Sequence, residues 1–318
     1  MEFRWMEYAT EVARRRSFTK AAAQLHVAQP SLSQQIAKLE QELGVTLFYR
    51  QRGSVEATPD GVRFVEQAEQ ILRMRDDLLR EMRERAEGVG RELVLGAPAI
   101  TGGRVLPPLL RLLEERYPQI RVRLVEETTE RLEHMTARGG TDLSVLALPL
   151  EDDRLAIHPL LTEPLYLAVG RECKPWMSPQ LADFVAHAAA SSDSVVPCGE
   201  VRLSEFARAP FIMLKQGYGF RRTVLGLCAE SGFQPYLAYE TSSIETAQAM
   251  AAHGLGVTLV PAMVAGQLSQ AAPLYALPQG HPTRTLVFAY RADRYLSLAA
   301  RALLTISDEW SLVANGLR

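Results

Sequence analysis

The stretch SFTKAAAQLHVAQPSLSQQIAKLEQELGV, residues 17–45, predicts two helices joined by a very short turn. The alanines at 21–23 permit close packing of the first helix, and HVA at 26–28 is the turn. Pro30 suits the first turn of the second helix, where its missing amide is not needed. Apolar residues then recur at helical spacing and are expected to face a core, namely Leu32, Ile36 and Leu39. This pattern is typical of a helix-turn-helix, which puts its second helix into the DNA major groove.

The other face of the second helix is polar, and its residue types suit base edges and phosphates. Glutamine can bond adenine bidentately, serine can reach several base edges, and lysine can hold a phosphate or a guanine. DNA contacts are expected from Gln29, Pro30, Ser31, Ser33, Gln34 and Lys38. The runs TLFYR and VEAT then flank the turn QRGS and predict a hairpin, on which Arg50 and Arg52 would act as a wing beside the duplex. The alternative is a small helical bundle with a solvated polar face.

Composition limits the function only broadly. The 318 residues include 35 basic and 37 acidic ones, with 47% hydrophobic residues, so two or three domains are expected and any nucleic-acid surface has to be local. Three cysteines without a CxxC spacing predict neither a disulfide framework nor a zinc site. The N-terminal segment lacks the apolar core of a signal peptide, and no window approaches a membrane span, which predicts a cytoplasmic protein.

A long charged helix is predicted after the hairpin, from Pro59 to about Glu87. Thr58 supplies a hydroxyl cap, and the proline fits the first turn. Apolar residues on this helix fall on a heptad stripe, namely Val65, Ala68, Leu72, Leu79 and Met82. Because most other faces are polar, we expect a linker that forms a two-stranded dimer seam through Val65, Leu72 and Leu79. Ordinary packing on its own domain is the alternative.

From Leu93 the chain changes character, because short apolar runs alternate with helical stretches. The runs include LVLGA, LSVLAL, FIML, GVTLVP and LVFAY. This alternation predicts an α/β fold with a mainly parallel sheet buried on both faces. The region is longer than one average domain, so two α/β lobes are expected.

The segment FTKAAAQLHVAQPSLSQQIAKLEQELGVTLFYRQRGSVEATPDG closely resembles the winged helix-turn-helix of the LysR-type transcriptional regulators. The linked signals are the AA pair before the turn, V-x-Q-P-x-L-S, I-x-x-L-E-x-x-L-G-x-x-L-F-x-R and T-P-x-G. One departure is Ala28, where the family more often has a serine that caps the recognition helix. The missing hydroxyl should cost about 0.5–2 kcal/mol of local capping energy.

The resemblance implies an order of domains for the whole chain. They are a winged helix-turn-helix DNA-binding domain at 1–58, a linker and dimerisation helix at 59–88, and an effector-binding regulatory domain at 89–318. That last domain would be similar to type 2 periplasmic binding proteins, with lobe I at about 91–163 and 270–318 and lobe II at about 164–269. The effector cleft would lie between the lobes.

The resemblance also implies which residues meet the effector. They are Ala99, Ile100 and Thr101 after the first strand, Thr128 and Thr129 after the second, and Gln216, Gly217, Tyr218 and Phe220 in the loop after FIML. Exposed amides, hydroxyls and a helix start form a good anion site, to which Arg221 or Arg222 would add a guanidinium. An organic or aromatic carboxylate is therefore the expected effector. Helix capping is the alternative role for Thr128 and Thr129.

A cysteine-based redox response is one alternative function. Residues 215–232, KQGYGFRRTVLGLCAESG, resemble the cysteine-bearing loop of the peroxide-sensing branch of the family. Cys228 falls on the resolving position, but Gly219 occupies the position of the peroxide-reactive cysteine. Cys198 could substitute in principle, although a buried apolar role for Cys228 and an incidental thiol at Cys198 are favoured.

A small-molecule binding protein or enzyme of similar two-lobed fold is the other alternative. The sequence has no HExxH, G-x-S-x-G or Walker loop, and its six histidines lack ligand spacing, so no enzyme, metal site or cofactor is expected. The residues and the resemblance together predict a homo-oligomeric regulator, a dimer or a dimer of dimers. Its expected partners are double-stranded operator DNA, a small-molecule effector and, for an activator, RNA polymerase, with no membrane.

Overall fold

A computed structural model describes residues 2–51, 54–87, 92–190, 196–266 and 272–316. The chain divides into two units, residues 1–88 and 89–318. The elements of the first unit are α1 (Phe3–Arg15), α2 (Phe18–Gln24), α3 (Gln29–Leu43), β1 (Phe48–Gln51), β2 (Ser54–Ala57) and α4 (Pro59–Glu87). The side chains predicted to face a core are fully buried, namely Leu32, Ile36 and Leu39. Periodicity thus predicted the inward face of α3 correctly.

The hairpin of β1 and β2 is fastened to the end of α3 by one carboxylate. Glu40 accepts hydrogen bonds from the backbone amides of Leu47 at 2.8 Å and Phe48 at 3.2 Å. The hairpin was predicted from its turn, and its antiparallel register confirms it. Arg50 lies in β1 with an undescribed side chain, and Arg52 lies outside the described residues, so the wing contacts stay a prediction.

The start of α4 follows the predicted capping pattern. The buried Thr58 hydroxyl accepts from the Gly61 amide at 2.9 Å and donates to the Thr46 carbonyl at 2.6 Å. A Cβ at Gly61 would overlap the carbonyl oxygen of Leu47, so only glycine permits this close approach. The cap therefore fixes where α4 leaves the hairpin.

The first turns of α4 pack on their own unit and correct the predicted dimer stripe. Val65 contacts the core of the first unit, Ala68 is buried, and Leu72 is half-buried. Of the residues predicted to form the seam, Val65 instead follows the alternative of packing on its own domain, while Leu79 is exposed. The reason is that α4 carries a second apolar stripe, which a single heptad assignment missed. The exposed apolar residues of α4 are Val62, Ile71, Met74, Leu78, Leu79 and Met82.

The second unit is built from helices around an eight-stranded mixed sheet and a separate parallel pair of strands, namely the sixth and seventh of those it contains. Its strands are β3 (Glu92–Ala97), β4 (Arg121–Glu126), β5 (Leu143–Ala147), β6 (Leu155–Val169), β7 (Glu200–Val201), β8 (Pro210–Leu214), β9 (Tyr236–Thr241), β10 (Thr258–Pro261), β11 (Leu274–Pro278) and β12 (Thr283–Arg291). Its helices are α5 (Ala99–Arg116), α6 (Thr129–Ala137), α7 (Pro179–Ala190), α8 (Gly219–Glu230), α9 (Ile244–Ala252) and α10 (Leu298–Gly316). None of the helices in the described ranges is long and apolar enough to cross a bilayer.

The sheet has the strand order β4-β3-β5-β12-β6-β11-β7, and β10 also pairs with β6. Strand β3 is parallel to β4 and β5, but β12 is antiparallel to both of its neighbours, and β10 and β11 are antiparallel to β6. The expectation of a mainly parallel sheet is therefore wrong. The physical reason is that the fifteen-residue β6 is a long central strand, along which the returning chain pairs in the opposite direction.

Two hydrophobic cores divide the second unit into two lobes. The core of the first lobe includes Leu93, Val145 and Phe288, and the core of the second lobe includes Phe211 and Val260. Strand β6 passes from one core to the other, since its residue 160 belongs to the first and its residue 165 to the second. The fold is thus the predicted α/β architecture with two lobes. The predicted domain boundaries remain expectations.

Candidate functional site

The second helix of the predicted DNA-reading motif is α3, which begins at Gln29. Its outward face carries the predicted residues, of which Gln29, Pro30, Ser31, Gln34 and Lys38 are exposed and Ser33 is half-buried. The N-cap Ala28 makes no side-chain hydrogen bond, as its residue type predicts. The first-turn amides of α3 therefore remain available to an acceptor such as a phosphate.

Hydrogen bonds order the exposed face of α3. The Gln29 side-chain amide donates to the Ser33 hydroxyl at 3.0 Å, so two predicted base-reading residues lie side by side. Gln35 instead accepts from the Trp5 indole at 2.7 Å, which ties α3 to α1. The reading face is therefore supported from behind by a specific polar contact as well as by the core.

A cavity of about 210 Å³ lies between the two lobes of the second unit. Its lining is mostly apolar with a few polar groups, which is typical of small-molecule sites. The lining residues are Pro98, Ala99, Ile100, Thr101, Thr129, Val145, Ala147, Leu214, Tyr218, Phe220, Ser242, Ser243, Ile244 and Arg284. Val145 belongs to the core of the first lobe, whereas Phe220 and Ile244 belong to the second, so both lobes form the walls.

Four helices begin at this cavity, namely α5, α6, α8 and α9. The hydroxyls of Thr128 and Ser243 cap α6 and α9. The N-caps of α5 and α8 are Pro98 and Tyr218, and neither makes a side-chain capping bond. Open first-turn amides and the positive ends of the helix dipoles favour an anion. The geometry therefore suits a negatively charged group near α5 and α8.

Two buried threonines add hydroxyls to the lining. Thr101 and Thr129 are each at least nine-tenths buried, and their hydroxyls make no hydrogen bond to another described residue. A hydroxyl in a cavity wall that is not already bonded can donate to or accept from a ligand. These hydroxyls can fix the orientation of a bound molecule.

The only charged side chain among the described lining residues is Arg284 on β12, which is 4% exposed. Its Nε donates to Glu163 at 2.8 Å, and its guanidinium lies 5.4 Å from the centre of the Phe220 ring. Burial lowers the pKa of the Arg284 guanidinium, and the nearby Glu163 carboxylate opposes that shift. The Glu163 carboxylate therefore supports the charged form of the Arg284 guanidinium in the cavity wall.

The thiols of this region are poorly suited to peroxide chemistry. Cys228 is fully buried, and burial raises the pKa of its thiol to about 12. Burial also raises the pKa of the Cys198 thiol. Since the thiolate is the reactive form, burial disfavours the reactive state of both groups. Among the residues that the structure describes, no group of three His, Cys, Asp or Glu side chains could hold a metal ion.

Two family models match the chain. The model described as a bacterial regulatory helix-turn-helix protein of the lysR family matches residues 3–62, and the LysR substrate binding domain matches residues 86–311. The chain belongs to the LysR family of transcriptional regulators. Members of this family bind DNA, which agrees with the helix-turn-helix and the exposed polar face of α3.

Relatives of this LysR regulator match over nearly its full length. The HTH-type transcriptional regulator YcgK of Bacillus subtilis is 54% identical over 97% of this chain and 94% of its own. The DNA-binding transcriptional dual regulator OxyR of Escherichia coli K12 is 31% identical, with 94% of each chain covered. A solved cysteine-to-aspartate variant of full-length OxyR from Pseudomonas aeruginosa is 28% identical, with a TM-score of 0.64 over 96% of this chain and 94% of that one.

The structure brings six of the nine predicted effector residues of the LysR regulator to the cavity, namely Ala99, Ile100, Thr101, Thr129, Tyr218 and Phe220. The other three, Thr128, Gln216 and Gly217, line a larger open groove along α6 instead. The hydroxyl of Thr128 accepts from the Arg131 amide at 3.4 Å, so the alternative role in capping applies to it. Whether the six cavity residues bind an effector stays a prediction.

The predicted guanidiniums do not reach the cavity. Arg221 donates to the Leu214 carbonyl at 2.7 Å and pairs with Glu240, while Arg222 pairs with Glu151. Both side chains are drawn to carboxylates outside the cavity lining, so the expectation that one of them faces the effector is wrong. Arg284 is the arginine that lines the cavity.

Sequence reasoning missed part of the lining. Ser242 and Ser243 lie between strand β9 and α9, which is the same strand-to-helix pattern that singled out Thr128 and Thr129. That signal could have found them. Arg284 has no comparable signal, because an arginine in the strand TRTLVFAYR reads as an ordinary solvated position.

Proposed function

We propose that this LysR regulator reads an operator through α3, and that a small organic carboxylate in the inter-lobe cavity changes its affinity for DNA. The observation that supports the effector most directly is that both lobes supply walls of the same cavity. A ligand shifts a conformational equilibrium only by its difference in affinity for the two states. A molecule that touches both lobes has such a difference whenever the lobes move relative to each other.

The chemistry of the cavity favours a carboxylate over a neutral or cationic molecule. The open amides of α5 and α8 and the guanidinium of Arg284 all favour negative charge. The apolar side chains of Ile100, Val145 and Phe220 suit an organic body. The hydroxyls of the two buried threonines would orient the ligand.

For DNA binding, we propose base contacts from the outward residues of α3 and an inverted-repeat operator read by a dimer. The dimer seam is proposed to be the exposed apolar stripe of α4, formed by Ile71, Met74, Leu78 and Met82. These residues recur every three or four positions, which is the spacing of a two-stranded seam. RNA polymerase would be a further partner if the protein activates transcription.

A peroxide-responsive thiol switch is the second candidate, since the OxyR relative is 31% identical over most of the chain. The residues of this chain argue against it. Gly219 carries no thiol, and the buried Cys228 has a pKa of about 12, so no reactive thiolate is supplied at this loop. An enzyme or binding protein without DNA function is less well supported, because the chain has the helix-turn-helix of the family.

Thermal-shift screening of the full-length protein against organic acids tests the effector, because a ligand of the folded state raises the melting temperature. Operator affinity is then measured by fluorescence anisotropy with and without the hit. Thr101→Val and Thr129→Val are expected to lose the ligand response while keeping basal operator affinity. Thr128→Val is the matched control, since its hydroxyl caps α6 outside the cavity. A normal response in both cavity variants would contradict the assignment.

A further inference from the structure

A buried ion pair joins the two strands that run side by side where the lobes meet. Glu163 on β6 and Arg284 on β12 are register partners, and they are 2% and 4% exposed. Arg284 Nε donates to Glu163 Oε1 at 2.8 Å, and Nη2 lies 2.8 Å from the same oxygen and donates to Met263 Sδ at 3.4 Å. The other carboxylate oxygen, Oε2, accepts from the backbone amide of Met263 at 2.8 Å.

Glu163 therefore lies where both connections between the lobes meet. Strand β6 is the outgoing connection, and the chain returns between β11, whose residues 274–276 belong to the second core, and β12, on which Arg284 lies. Met263 packs against both hydrophobic cores. One carboxylate thus joins the outgoing strand to the turn after β10 and to the cavity arginine on the returning strand.

Arg284 carries this arrangement into the cavity. Its second terminal nitrogen, Nη1, has no hydrogen-bond partner among the described residues, although the side chain is more than nine-tenths buried and lines the cavity. Its guanidinium also lies against Phe220 of the second lobe. A buried guanidinium with an unused donor is suited to an oxyanion in the adjoining space.

We propose that Arg284 selects the charge of the effector, that Glu163 positions it, and that the effector is a compact monocarboxylate with an apolar body. This rests on the proposed function, because it specifies the ligand of the same cavity. Arg284 donates through Nη1 to the ligand carboxylate. Glu163 holds the guanidinium in position between the two strands that connect the lobes. Ligand binding to Arg284 therefore acts directly on the contacts at the hinge between the lobes.

Charge and size restrict the ligand to one carboxylate. Arg284 is the only cation among the described lining residues, and Glu163 already neutralises it in part, so a second anionic group would be buried without a counter-charge. An engineered protein cavity of about 150 Å³ accepts a benzene molecule. A cavity of about 210 Å³ therefore has room for roughly one ring and one carboxylate.

Matched acids and amides test this on the full-length protein by isothermal titration calorimetry. The probes are benzoate with benzamide, isobutyrate with isobutyramide, and acetate with acetamide, since each pair differs mainly in charge. Wild-type protein is expected to bind at least one acid about 10- to 100-fold more tightly than its amide, as a hydrogen bond to a charged group suggests.

The decisive variant is Glu163→Gln combined with Arg284→Gln. Changing Arg284 alone would leave the buried Glu163 carboxylate unpaired and endanger the fold, whereas the double change removes both charges. The double variant should bind acid and amide within about 3-fold of each other. A matched control changes Arg116 and Glu309 to glutamine, an exposed pair outside the cavity lining, and should keep the wild-type preference.

The outcomes separate this inference from the proposed function. An acid preference that survives in the double variant overturns the role of Arg284. Amides or neutral compounds that bind wild-type protein as tightly as the acids overturn the ligand class, while an effector cavity remains if Thr101→Val and Thr129→Val weaken their binding. If no compound binds in a manner sensitive to either threonine, the proposed effector site fails with it.

Discussion

A mutation of Leu78 is expected to weaken dimerisation without lowering the stability of the first unit. Its side chain is 56% exposed on α4, with Met74 and Met82 one turn to either side. In a symmetric dimer joined through this stripe, each copy buries that exposed part. Since full burial of a leucine contributes about 1.5–3 kcal/mol, the two copies together contribute about 2–3 kcal/mol. Leu78→Asp removes this contribution and adds two carboxylates to the seam, so dimer affinity should fall at least about 30- to 150-fold.

Sedimentation velocity of the full chain over a dilution series measures this affinity, and thermal unfolding measures the stability. Val65→Asp is the matched control on the same helix, because Val65 packs on the core of the first unit. It should lower the melting temperature, because it places a carboxylate in a half-buried apolar contact. The opposite result would be that Leu78→Asp still associates normally while Val65→Asp dissociates but stays stable. That result would show that the seam lies on the heptad stripe of Val65, Leu72 and Leu79.

Three further predictions concern the DNA-reading face, the thiols and the hairpin. Gln29→Ala and Ser33→Ala should each lower specific operator affinity by about 1–3 kcal/mol in anisotropy titrations, without changing affinity for random DNA; equal losses on both DNAs would mean that they contact phosphates. Cys228, with a pKa of about 12, should resist thiol reagents at pH 8 until the protein unfolds, while the exposed Cys173 reacts at once. Rapid labelling of all three thiols would refute its burial. Gly61→Ala should destabilise the first unit in thermal unfolding, because a methyl group would overlap a backbone carbonyl, and an unchanged melting temperature would contradict that contact.

Local patterns predicted the first unit well because its elements are set by neighbours in sequence. The spacing of Leu32, Ile36 and Leu39 gave the buried face of α3, and Thr58 with Pro59 gave the start of α4. These signals involve residues a few positions apart, where helical geometry fixes who faces whom. Part of the cavity followed for the same reason, since helix starts after strands can be recognised locally.

Other features depend on contacts between distant parts of the chain. Arg284 becomes a cavity residue only because β12 pairs with β6, which places it beside a glutamate 121 positions earlier. Arg221 and Arg222 looked equally suitable in sequence, but Glu240 and Glu151 hold them elsewhere. The directions of β10 and β11 could not be predicted either, because an apolar run reads the same in both directions.

Arg75 on α4 bonds Glu7 at 2.6 Å and lies over the Phe3 ring at 5.4 Å, both on α1, and α1 in turn holds α3 through Trp5. In a dimer joined through α4, these contacts set the distance between the two copies of α3. DNA half-sites must then lie at a matching distance along the duplex. The preferred bases are consequently determined by α3, whereas the preferred distance between the half-sites is determined by α4. Mutations in α4 can therefore change the half-site spacing that the protein prefers without changing the bases that it prefers. Mutations in α3 can change the preferred bases without changing that spacing.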